Sequence, residues 1–209
     1  WKNREGQASK FWWSMGMLFG GFGALLAGTS YQAFGFELKC AGQQICTWTS
    51  WLEIVYMSFQ IACFNAMLAA VAFSSMTGIL RRVLLVYAAA NFLAHGVILI
   101  VGLVSLDRFF LSYEMVGLLA KPTFVIFFLV NGYRFFKYRD PLDLVLLGSW
   151  VMLRVTNVVY YAYISGGYTQ VLWERGFWFS ESDVLHVLVM LWVLYVGLVV
   201  APKVRDYSQ

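Results

Sequence analysis

Six long apolar runs follow one another along the chain, at 11–34, 51–74, 80–104, 109–132, 141–164 and 183–201, and most of the charges lie outside them, in the segments between runs and at the two ends. About 20 residues of helix cross a hydrocarbon core of about 30 Å. The runs are too long and too continuously apolar to be the period-two strands of a membrane barrel. The pattern predicts an all-α, polytopic integral membrane bundle of six transmembrane helices. No Pro/Ser/Gly linker or charge run interrupts it, so one domain is expected over 1–209. The chain opens on Trp1 rather than Met, and a native N-terminus is expected upstream, with room for a leader or a seventh helix.

Helix starts are written into several of these runs. Ser180 and Asp183 have the spacing of a capping box, as do Ser50 and Glu53. Asp140 before Pro141 reads as an N-cap followed by a first-turn proline, with Asp143 one turn on. Trp48, Trp51, Trp173, Trp178 and Phe179 read as an aromatic belt at one membrane interface, and Trp12, Trp13 and Tyr133 at the other.

Composition agrees with a bilayer. The chain is 61% hydrophobic and 12% charged, where a soluble domain has roughly 45–50% and 25%. Its net charge of +4 does not point to nucleic acid, because the basic residues sit at the ends of apolar runs. One side gathers ten: Lys2, Arg4, Lys10, Arg81, Arg82, Arg134, Lys137, Arg139, Lys203 and Arg205. The other has three, Lys39, Arg108 and Arg175, while Lys121 and Arg154 fall inside runs. The positive side is expected in the cytoplasm, with both termini of the chain there.

Cys40 and Cys46 then lie in the first non-cytoplasmic loop, where a disulfide staple is the expectation and a redox or metal pair the alternative. Cys63, alone inside the second run, reads as a packing residue. Gly16, Gly20, Ala24 and Gly28 recur every fourth residue and form one small-residue stripe. Such a stripe serves close packing inside the bundle, or a homo-oligomer or membrane-protein partner.

Polar residues inside the runs are the candidate chemistry. Glu114 and Lys121 are seven apart on one face, Arg154 and Asn157 three apart, and Asn91 and His95 four apart. Asn65 and His186 complete the set. A charge at the bilayer centre costs roughly 2.5–3.5 kcal/mol, so such groups pair or face a cavity. Glu114 is expected to be ionised and paired with Arg154 or Lys121 inside the bundle. Glu53, His95, Glu114, Asn157 and His186 would converge on an outward polar pocket, with Lys121 and Arg154 near the midplane. Two cations against one acid favour a lipid headgroup or a small anion as ligand. The alternative to a pocket is a buried structural network.

His95 and His186, with one of Glu53, Glu114 or Asp183, also make a set of two histidines and a carboxylate that suits zinc. The segments W-L-E-I-V-Y at 51–56 and D-V-L-H at 183–186 resemble the W-C-E-x-N-Y and final-helix histidine segments of alkaline ceramidases. Those are seven-helix membrane hydrolases with an intramembrane zinc. The resemblance covers about a tenth of the chain and implies a zinc-dependent intramembrane lipid hydrolase. It departs from the family in histidines, since that family uses three, two of them on the last helix, whereas this chain has His95 and His186 only. No Walker loop, G-x-S-x-G or H-E-x-x-H motif is present. A plainer reading is an accessory subunit of a larger membrane complex.

Overall fold

The computed structural model describes residues 7–207, the side chain of residue 32 apart, and the secondary structure among them is helical with no strand. In chain order the helices are α1 (Ala8–Gly28), α2 (Gly35–Lys39), α3 (Trp51–Ser75), α4 (Gly78–Ser105), α5 (Tyr113–Tyr138), α6 (Pro141–Ser165), α7 (Tyr168–Glu174) and α8 (Glu181–Tyr195). Wider π turns prolong α1 over Thr29–Ala33 and α8 over Val196–Val200. Six of the helices are long and apolar enough to cross a membrane. Two compact units are distinguished, one reaching Ile126 and taking in the residues from Arg205, the other Phe127–Val204.

In the first unit α1 packs along α3, and α3 packs against α4. The small-residue stripe is what lets α1 approach. A Cβ on Gly16 would lie 3.1 Å from Met67 Cγ and 3.5 Å from the Cys63 carbonyl, and one on Gly20 would lie 3.3 Å from Cys63 Sγ. The stripe is therefore used within the chain at Gly16 and Gly20, whereas Gly28 has nothing within that reach. Trp13, expected in an interfacial belt, is instead buried. Nothing in α1 caps its own first turn. Asp206 does so from the far end of the sequence, accepting the Ala8 and Ser9 N–H groups at 2.9 and 2.7 Å. Arg81 donates to the Tyr207 carbonyl at 2.9 Å, and Tyr207 N–H donates to the Phe73 carbonyl. Asp206 and Tyr207 thus join the start of α1 to the adjoining ends of α3 and α4.

The second unit is built on α6 and α8. Trp192 donates its indole N–H to Ser149 at 2.9 Å, and the Tyr195 hydroxyl reaches the Val145 carbonyl at 3.0 Å. Gly148 makes room for that tyrosine, since a Cβ there would lie 2.6 Å from its oxygen. Asp140 caps α6 through the Leu142 N–H, and Ser180 with Asp183 forms the full capping box of α8. At α3 the Ser50 hydroxyl accepts the Glu53 N–H, but the Glu53 carboxylate turns elsewhere. The fourth span starts at Tyr113 rather than residue 109 and runs on to Tyr138 rather than ending at residue 132. It continues because the charge that would end an apolar run, Arg134, is neutralised by Asp143.

Candidate functional site

At the end of the first unit where α1 finishes and α3 and α5 begin, Lys39 at the end of α2 and Trp48 and Thr49 of the loop after it line one side of a half-open cavity of about 150 Å³. The Cys40–Cys46 disulfide is formed and ties this loop. Lys39, the residue before the first cysteine, reaches back into the cavity and ion-pairs with Glu53 Oε1. Its ammonium also lies 4.9 Å from the centre of the Tyr31 ring. Ser30 donates to Glu53 Oε1 at 3.1 Å and Thr49 to Oε2 at 2.9 Å, while the Ser30 and Ser50 hydroxyls meet at 2.9 Å. Glu53 is only 4% exposed, and this is how the buried carboxylate is satisfied. Trp48, Met57, Leu111, Ser112, Tyr113 and Glu114 complete the wall.

Deeper in the same unit a polar column runs between helices. His95, buried on α4, meets the Ser58 hydroxyl through Nε2 at 3.2 Å. Ser58 also donates to the Ile54 carbonyl, which leaves Nε2–H as the donor between the two. Nδ1 is then a buried acceptor without a partner. One turn further, Asn91 donates to Asn65 Oδ1 at 3.2 Å and to the Leu119 carbonyl at 3.3 Å. These contacts tie α4 to α3 and to α5 beside the turn that holds Pro122.

The expected convergence on one pocket is not what these side chains do. Glu53 and Glu114 line the cavity, and His95 lies in the column. Asn157 is spent on the Leu153 carbonyl of its own helix. Lys121, Arg154 and His186 are exposed. Among the described residues, Glu114 and Lys121 of the first unit form no ion pair with each other, so that expected pairing is corrected. The physical reason is position: Glu114 occupies the first turn of α5, where the helix dipole stabilises a carboxylate without a cation. The sign of the cavity is corrected too. Its charged lining is two acids and one lysine rather than a pair of cations.

Nor do the candidate ligands fit zinc. Glu53 is held by Lys39, Ser30 and Thr49. Asp183 is engaged in the capping box, and His186 Nδ1 donates to the Ser182 carbonyl at 2.6 Å. Among the described residues no three histidine, cysteine, aspartate or glutamate side chains come together as a metal site needs.

The second unit holds a network that the sequence reading missed. Arg134 Nε donates to both oxygens of Asp143, at 3.0 and 3.3 Å. Asn131 donates to the same carboxylate at 2.9 Å and accepts the Trp150 indole N–H at 2.9 Å. Trp150 in turn stacks on Phe127 at 4.0 Å. In the sequence Arg134 counts among the basic residues at the ends of apolar runs and Asp143 as a first-turn acid. The nine-residue separation across Asp140–Pro141 was the available signal, since it brings the end of one helix onto the start of the next.

Compared with protein-family models, with curated proteins and with solved structures, the chain matches none.

Proposed function

We propose that this multi-pass membrane protein is a subunit of a heteromeric membrane assembly, docking through the exposed face of α6 on a transmembrane helix that carries a carboxylate. One observation carries this reading: Arg154 stands exposed in the middle of a candidate span and, among the described residues, has no ion pair. It lies thirteen residues beyond Pro141 and eleven short of Ser165, so about 20 Å and 16 Å of helix separate it from the two ends. An arginine facing acyl chains at that depth is costly. The same face shows Val151, Val155, Val158 and Tyr161, each about half exposed, with the spacing of a helix–helix contact.

Charge complementarity selects the partner. Within the described spans the acids are Glu53, Glu114, Asp143, Glu181 and Asp183, and all lie in the first three residues of their helices. A second copy of the chain would bring no acid to the depth of Arg154. Lys121, eight residues into α5 and exposed, offers a second cation at membrane depth. No observation favours the hydrolase reading. The positive-inside bias supports an orientation with the Ala8–Asp206 end in the cytoplasm.

The experiment is photo-crosslinking in native membranes from a probe at Val158, one turn from Arg154. A discrete heterologous adduct, lost in Arg154→Leu, is expected; adducts with lipid alone contradict the proposal. In the same membranes a cysteine placed beside Arg81 should label only from the cytoplasmic side, and labelling from the opposite side reverses the orientation.

A further inference from the structure

We infer that the cavity beneath the disulfide loop is a recognition site for an organic ammonium group, with Lys39 as its tethered occupant. The chain itself displays the chemistry. The Lys39 ammonium enters on a flexible stem, pairs with Glu53 on one side and faces the Tyr31 ring on the other. A carboxylate and an aromatic face together are what an alkylammonium needs, because the ring quadrupole attracts a cation that a carboxylate neutralises. Trp48 and Tyr113 add further aromatic wall.

Charge balance sets the sign of a second guest. Among the described residues the charged lining of the cavity is Glu53, Glu114 and Lys39, two acids against one lysine. Both acids lie in the first turns of α3 and α5. Lys39 answers Glu53, and an incoming ammonium answers Glu114. About 150 Å³ is room for a small amine or the ammonium end of a lipid headgroup, not for a whole lipid. The disulfide holds Lys39 at the cavity by closing the loop directly after it, and Thr47 N–H bonds the Lys39 carbonyl at 2.7 Å. Lys39 therefore fills the Glu53 side of the cavity and sets a like charge beside the guest, so it competes for the space and keeps the affinity low.

The test uses choline chloride as probe and the full chain in a maltoside detergent, at an ionic strength fixed with potassium chloride. Saturation transfer to the choline N-methyl protons reports binding. The expected results are millimolar binding, at least fivefold weaker in Glu114→Gln and at least fivefold tighter in Lys39→Met, where the tethered competitor is gone. Equal binding by all three proteins, or none by Lys39→Met, overturns the inference, as does binding of inorganic phosphate in place of choline. Glu114 is exposed, so its glutamine variant keeps the fold and the comparison stays readable. Repeating the titration with phosphatidylcholine or phosphatidylglycerol nanodiscs separates the two sources. Loss of the signal only with phosphatidylcholine identifies a lipid headgroup as the ammonium donor, and persistence in both identifies a free amine.

Discussion

Arg134 and Asp143 are 4% and 1% exposed, and each is the other's counter-ion. Breaking such a pair leaves one ion in low dielectric, whereas replacing both with apolar groups of similar volume removes the desolvation cost as well. Arg134→Met should therefore destabilise the protein by about 3–5 kcal/mol, and Arg134→Met with Asp143→Leu should recover most of that loss. Thermal unfolding in detergent checks it, and additive losses would mean the residues act separately. At this scale the sequence was readable where a residue's role is local. Ser180, Asp183, Asp140 and Pro141 do at helix starts what their spacing implies. It was silent where a role depends on a distant partner. Nothing in the spacing of Ser30 and Lys39 announces that both would be spent on Glu53, or that Asp206 would cap a helix some two hundred residues away.

Helices were legible as elements because each is a long apolar run, and their ends less so because a buried charge looks like a loop charge in sequence. The last turns of α5 are the instance, since Arg134 and Lys137 lie inside the helix. The short helices α2 and α7 had no apolar run to mark them. The small-residue stripe was legible as a contact surface, and its use became clear from what each glycine faces. Gly16 abuts Met67 and the Cys63 carbonyl, while Gly21 has nothing within 4 Å. Overpacking a tight contact costs about 1–3 kcal/mol. Gly16→Val should thus lower stability by that amount, and Gly21→Ala should leave it unchanged or slightly improved through helix propensity. Equal thermal midpoints for the two variants would show that α1 does not rest on α3 through this stripe.

For the molecule as a whole, the placement of its charges separates what its own fold satisfies from what it does not. Glu53, Asp143 and Asp183 all find partners within their own unit. Arg154 and Lys121 keep exposed cations well inside helices long and apolar enough to cross a membrane. Sequence identified both as candidates and gave their depth, but not the direction in which they face, because helical periodicity in a uniformly apolar span leaves the facing side undefined. The proposed assembly follows from that direction, and the size of the complex extracted gently from native membranes tests it most directly. Wild type should run well above the mass of a single chain, and Arg154→Leu, which removes the charge and keeps an apolar helix, should fall to that mass. Comigration of Arg154→Leu with the wild type, whether both run large or both run as the single chain, would contradict the account.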